Sequence, residues 1–251
     1  MPKLGLSTGL TRSGIVTPGI VTSNLVLKHN YSAGSVIPVS DGAAHFDGSG
    51  DFIVADGTSI DFGTNDFTLA LWVNPLADIT ATYFMSQHAN SDNRWYLRLN
   101  DSGIVHFYSA IGGSGAIAFN GGNALATNVW THIAVSIDRD SSTGGKVYVN
   151  GALDATSNES AYAAVDYKIS TVSPDVAGQE DLNIGRWSSS TSAAKYITNA
   201  AVWHRALEQP EIKSIMNKNY AGLTSSEKTN LVSWWNLSAD ANDSHGSNHG
   251  T

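Results

Sequence analysis

Two stretches decide the fold: Asn128-Val-Trp-Thr-His-Ile-Ala-Val-Ser-Ile-Asp138 and Lys146-Val-Tyr-Val-Asn-Gly151. In the first, His132, Ala134 and Ser136 alternate with Ile133, Val135 and Ile137. A period of two puts these sets on opposite faces of a β-strand. In the second, a short β-branched run ends in Asn150-Gly151. Those residues tolerate the positive φ of a two-residue hairpin turn. The pattern recurs upstream in Phe67-Thr-Leu-Ala-Leu-Trp-Val73, where Phe67, Leu69, Leu71 and Val73 oppose Thr68, Ala70 and Trp72.

Further runs extend it in both directions. Tyr83–Ser86, Arg94–Leu99 and Val105–Tyr108 read as strands, with Asn100-Asp-Ser-Gly103 turning between the last two. Ala44–Phe46 and Phe52–Val54 flank Asp47-Gly-Ser-Gly-Asp51, a hairpin signature. Leu182–Ile184, Lys195–Ile197 and Ala200–Trp203 follow. Strands about ten residues apart with turn signals between them predict an all-β, two-sheet antiparallel sandwich. Trp72 and Trp130 are expected in the inter-sheet core. Two short helices complete the reading. Glu208–Asn217 has Pro210 in its first turn, and Thr224-Ser-Ser-Glu227 has capping-box spacing.

Composition agrees. The 251 residues include 24 Gly and only 14% charged residues, which suits tight turns more than helical bundles. The net charge of −8 disfavours nucleic acid. Cysteine is absent, so disulfides and thiolate sites are excluded. No run reaches the roughly 18 apolar residues of a membrane helix, so no membrane insertion is expected. Met1–Ser7 lacks the apolar core of a signal peptide.

Residues 1–42 differ from the rest. Gly-Ile-Val-Thr occurs twice around Pro18, favouring extended backbone while barring a central strand. They read as an extended assembly arm. Residues 43–219 form the main domain. Residues 220–251 form a C-terminal segment that packs on the sandwich or on a neighbouring subunit.

At this point the motifs resemble a family. Ala43-Ala-His-Phe-Asp-Gly-Ser-Gly-Asp-Phe-Ile53, Asp66–Val73, the 128–138 strand, the 146–151 hairpin, Asn183-Ile-Gly-Arg186 and Ile197–Ile212 fall in the order of concanavalin-A-like, laminin-G-like jelly-roll modules. The resemblance implies a jelly-roll sandwich. Leu231-Val-Ser-Trp-Trp-Asn-Leu237 and Asp243–Thr251 resemble segments that precede the first strand in most members. Here they follow the helix. This order, with the Thr-Pro-Gly-Ile-Val-Thr arm, resembles bacteriophage virion structural proteins.

Candidate chemistry is sparse. Glucanases of this fold use a Glu-x-Asp-x-x-Glu strand, and that spacing is missing. Glu180-Asp181 is the nearest acid pair, but adjacent strand residues face opposite ways. No Gly-x-Ser-x-Gly elbow occurs. No catalytic residue is assigned. Asp47 and Asp51 head a series of turn aspartates, and calcium is the cofactor such oxygens could hold. Aspartate is equally the ordinary turn former. Trp95, Tyr96, Tyr108 and Trp187 are candidate sugar-stacking rings. Trp234-Trp235 sets one ring inward and one outward, the outer available for a subunit contact.

These readings lead to a non-enzymatic virion structural protein, a capsid decoration or appendage module. It would form homo-oligomers or meet other virion subunits, with glycan binding as a further role. The alternative is an extracellular or cell-surface carbohydrate-binding lectin module. A glycan-active hydrolase or lyase is a remote third.

Overall fold

The computed structural model describes residues 40–63, 65–76, 82–90, 93–111, 116–141, 144–154, 180–188 and 192–251. The chain divides into two units, Met1–Val36 and Ile37–Thr251, and the described residues all belong to the second. The expected arm therefore lies outside the described residues, save Ser40–Gly42.

Thirteen strands and one short α-helix are named among these residues. They are β1 (Ala44–Phe46), β2 (Ile53–Ala55), β3 (Phe67–Pro75), β4 (Thr82–Asn90), β5 (Asn93–Leu99), β6 (Ile104–Ile111), β7 (Ala116–Ala124), β8 (Thr131–Ile137), β9 (Gly145–Val149), β10 (Ala152–Leu153), β11 (Leu182–Ile184), β12 (Lys195–Trp203) and β13 (Leu231–Trp235). The helix, α1, spans Gln209–Ile215. One antiparallel sheet has the order β1-β12-β3-β8-β9-β10, with β13 also on β12. The other has the order β2-β11-β4-β5-β6-β7. This is the expected sandwich.

The alternation in β3 and β8 reads out as expected. Phe67, Leu69, Leu71, Val73, Ile133, Val135 and Ile137 all enter the inter-sheet core. They meet Phe84, Trp95, Leu97, Phe107 and Phe119 from the six-stranded sheet. Burying side chains of this size is worth about 1.5–3 kcal/mol each. Between β9 and β10, Asn150 at φ 50° and Gly151 at φ 73° form the left-handed pair that the hairpin requires.

Four expectations are corrected. Ala44–Phe46 and the strand near Phe52 do not form a hairpin. β1 pairs with β12 and β2 with β11, so the Asp47–Asp51 turn carries the chain from one sheet to the other. Trp72 does not enter the inter-sheet core. It shares a face with Ala70, its indole N–H bonds the Met216 carbonyl at 3.0 Å, and it lies beneath the end of α1. Trp130 is only half-buried. Thr224–Glu227 closes its capping box, with Thr224 N–H on Glu227 at 2.7 Å and Glu227 N–H on Thr224 at 3.3 Å. The chain then turns directly into β13 rather than continuing as a helix. Trp234 and Trp235 are both buried, at 2% and 0% exposure. Trp235 joins the inter-sheet core, and Trp234 packs edge-on to Trp203 beneath the α1 segment. No outward ring remains there for a subunit contact.

The C-terminal segment closes the domain. β1 and β13 lie end to end along one side of β12. Asp243 accepts from the N–H groups of Trp234 and His245, at 3.0 and 2.9 Å. Thr251 exchanges backbone bonds with Val54 at 2.9 and 3.1 Å, so the chain end pairs with β2.

Candidate functional site

The two outer faces of the sandwich are built differently. Over the seven-stranded sheet the outward residues Ala70, Ala134 and Ala201 are small. Ile212 and Ile215 of α1, with Leu207, Leu223 and Trp234, fill the space above them. The helix is held by a complete capping box between Glu208 and Glu211.

The outward residues of the six-stranded sheet are large. Tyr83 comes from β4, Arg94, Tyr96 and Arg98 from β5, and His106 and Tyr108 from β6. Register sets Tyr96 opposite Tyr108, and Arg98 opposite both Tyr83 and His106. Cross-strand neighbours on one face are close enough for such side chains to touch. Tyr96 stacks on Tyr108 with centroids 5.1 Å apart and planes 17° apart. Trp187 stands edge-on to Tyr96 at 4.9 Å and stacks on Tyr83 at 5.7 Å. His88 meets the edge of Trp187 at 4.8 Å. Arg98 lies over both Tyr83 and Tyr96, at 5.5 and 5.4 Å, and Arg94 over Tyr108 at 5.5 Å. Tyr83, Tyr96, Tyr108 and Trp187 are all half-buried.

The turn carrying Trp187 is fixed at its root. Gly185 donates to the Phe84 carbonyl at 2.9 Å, and Ser86 Oγ to the Arg186 carbonyl at 2.9 Å. Gly185 sits at φ +94°, and a Cβ there would collide with the Phe46 ring. Arg186 bonds Asn183 at 2.7 Å and stacks over Phe52, whose ring is 40% exposed. Burial pushes the Tyr96 phenol up to about 12, against the lowering pull of Arg98. Burial brings His106 down to about 4, although its hydrogen bond with Asn120 opposes this. The site is thus a platform of aromatic planes with cations at fixed places.

Tyr96, Tyr108 and Trp187 are therefore brought together, as the sequence reading grouped them. Trp95 is not with them and is corrected. It is 1% exposed, points into the inter-sheet core, and spends its indole N–H on Gln87 at 2.6 Å. A ring enclosed in this way offers no face to a sugar. Sequence reasoning missed Tyr83, His88, Arg94 and Arg98. The alternation of Arg94, Tyr96 and Arg98 against Trp95, Leu97 and Leu99 was the available signal.

Other candidates resolve into structural roles. Asp47 accepts from Ser49 N–H at 2.6 Å, and Asp51 accepts from Asp47 N–H at 3.0 Å. Both carboxylates thus pin the inter-sheet turn, and among the described residues no cluster of three or more His, Asp or Glu forms around a metal position. Lys195 Nζ lies 2.9 Å from Ser192 Oγ, which resembles a Ser–Lys dyad. Burial brings its ammonium down to about 7, opposed by Asp51. However, Lys195 is fully buried and Ser192 Oγ is engaged by Tyr83 N–H at 2.9 Å, so this pair ties a loop to β4. A second, open groove of about 340 Å³ lies between Ser40–Ala43, Asn74, Trp130 and Tyr196. No described helix is long and apolar enough to cross a membrane.

Comparison with known proteins fits this geometry. The family model described as the concanavalin A-like lectin/glucanases superfamily, of laminin-G type, matches residues 47–213. The chain belongs to this family. No curated protein matches its sequence. Among solved structures, a Bacteroides ovatus protein whose proposed role is carbohydrate binding is similar at 18% identity and a TM-score of 0.55, over 86% of this chain and 58% of that one. The binding domain of Paraclostridial Mosquitocidal Protein 1 is similar at 17% identity and a TM-score of 0.52, over 71% of this chain and 46% of that one. The chain thus spans about half the length of these two, and at such identities the likeness is one of fold.

Proposed function

We propose that this chain is a non-catalytic glycan-binding module whose site is the outer face of the six-stranded sheet. The observation that carries the reading is the Tyr83–Tyr96–Tyr108–Trp187 cluster, half-buried on a face that α1 does not cover. Aromatic faces match the apolar C–H faces of sugars, and the arginines and Asn120 supply donors for hydroxyl and acidic groups. The side chains of this cluster include no carboxylate that could act as acid or nucleophile. Fold membership alone would leave binding and hydrolysis equally open.

A glycan array tests this. The wild-type chain should bind a defined set of glycans, unaffected by chelator, and the Tyr96→Ala/Tyr108→Ala variant should lose them at unchanged fold. Equal binding by both proteins, or release of reducing sugar, would contradict the reading.

The finer reading is a bacteriophage virion protein, a capsid decoration or appendage module. Its support is the motif order: segments resembling those that precede the first strand in most members follow the helix here, and Thr251 pairs with Val54 of β2. Deleting residues 1–36 should then abolish self-assembly and leave glycan binding intact. A deletion variant that assembles normally would remove the arm from the account.

A further inference from the structure

The aromatic face carries two arginines that no carboxylate among the described residues neutralises. Arg94 and Arg98 are four residues apart on one face of β5, about 13 Å along the strand at roughly 3.3 Å per residue. Among the described residues neither guanidinium has a carboxylate partner, whereas Arg205 pairs with Glu211 and Lys218 with Glu227. The Nε of each arginine is buried without a hydrogen-bond acceptor. Among the described residues both lie against rings, Arg98 over Tyr83 and Tyr96 and Arg94 over Tyr108.

That placement is unusual for this chain. Acids outnumber bases by 22 to 14, so a carboxylate is the commoner neighbour for any cation. The residues set opposite these arginines on adjoining strands are Tyr83, His88, His106 and Ala110, none of them acidic. Stacking on a tyrosine fixes the guanidinium plane and leaves its edge free for bidentate bonds to an anion.

We infer that the ligand is an acidic glycan, a polysaccharide bearing carboxylate or sulfate groups, with sugar rings on Tyr96, Tyr108 and Trp187 and anionic groups on Arg94 and Arg98. This rests on the glycan-face reading above and adds the charge of the ligand. The spacing of the two arginines favours an extended chain with repeated charges over a single acidic sugar.

The test uses the full chain and four probes: polygalacturonate, its methyl ester, chondroitin sulfate and oligothymidylate. An anionic glycan should bind about tenfold tighter than the uncharged ester, and raising salt from about 50 to about 300 mM should shrink that gap. Arg98→Gln should lose about tenfold more affinity for the anionic polymer than for the ester, while Arg98→Lys should retain the salt dependence. Melting temperatures of the variants identify any that fail to fold, and Arg94→Gln then serves as the second variant. Equal affinity for polygalacturonate and its ester, with both lost in Tyr96→Ala, would overturn the charge assignment and spare the glycan site. No binding of any glycan would overturn both. Tighter binding of oligothymidylate than of either anionic glycan would assign the face to nucleic acid and overturn the inference.

Discussion

The two outer faces of this sandwich have the same backbone geometry and opposite fates. On the seven-stranded sheet, Ala70, Ala134 and Ala201 leave a shallow seat, and α1 with its following turn occupies it. On the six-stranded sheet, Tyr83, Tyr96 and Tyr108 stand out from the strands, and Trp187 joins them from a turn. Small outward residues let a helix approach and become part of the fold. Large aromatic ones cover the sheet themselves and stay partly exposed. Exposed aromatic surface clustered in this way marks an interaction site more than ordinary surface does.

The sharpest form of the contrast lies inside β5. Trp95→Ala should lower stability by about 3–5 kcal/mol, because it empties a core position that the surrounding strands cannot refill. Thermal melts would register this as collapse or a large fall in melting temperature. Tyr96→Ala, one residue on, should change stability by less than about 1.5 kcal/mol and remove glycan binding. If the two variants melted alike, the division into core face and binding face would be wrong. Next in size, Ala134→Asp should cost about 3 kcal/mol or more, by burying an unpaired charge beneath α1. An Ala134→Asp protein with wild-type melting would mean that the helix seat contributes little.

The pH dependence comes third. Burial lowers His106 to about 4 and His132 to about 3, and it lowers His204 as well. An unfolded histidine titrates near 6.5, so the unfolded chain takes up protons first as pH falls. The stability of neutral histidines is therefore full above about 6.5 and is lost progressively below it. His132→Phe should flatten the fall in melting temperature between about pH 6.5 and 4. Lys195 acts at the other end. Its folded value of about 7 lies below that of a free lysine, so stability should rise with pH from about 7 toward 10. Lys195→Met should remove that rise.

The smallest expected effect is at Glu227. Burial alone would raise its pKa, but bonds from Lys218, Ser214 and Thr224 bring it to about 2. Its contribution is present above the unfolded value near 4.3 and is lost as pH falls toward 2. Glu227→Gln should lower melting by a few degrees at neutral pH and by less at about pH 2.5. It should not touch glycan binding.

Much of this architecture was legible in the chain. The alternation in β3 and β8 gave the centre of one sheet and its inward side chains, because a half-apolar period of two has one solution in a sandwich. β7 was not recognised: its second half, Asn120-Gly-Gly-Asn123, lacks the β-branched residues that mark a strand, yet Ile117 and Phe119 carry it into the core. The same limit explains Asp47–Asp51. A turn signature reports a reversal but not which sheet the chain enters next. Trp234 was misread because alternation assigns opposite faces and cannot show that α1 covers the outer one. For the proposed site, side-chain type singled out Tyr96, Tyr108 and Trp187, which the structure sets side by side. The arginines were missed because charge on a strand reads as solvated surface until its neighbours are known.

The most direct test compares two indole N–H signals by nuclear magnetic resonance as a bound glycan is titrated into the labelled protein. Trp187 stands in the aromatic cluster and Trp130 borders the groove with Tyr196 and Asn74. The Trp187 signal should shift to saturation, together with backbone amides of β4, β5 and β6, while Trp130 stays in place. Movement of Trp130 alone, with β5 silent, would contradict the account.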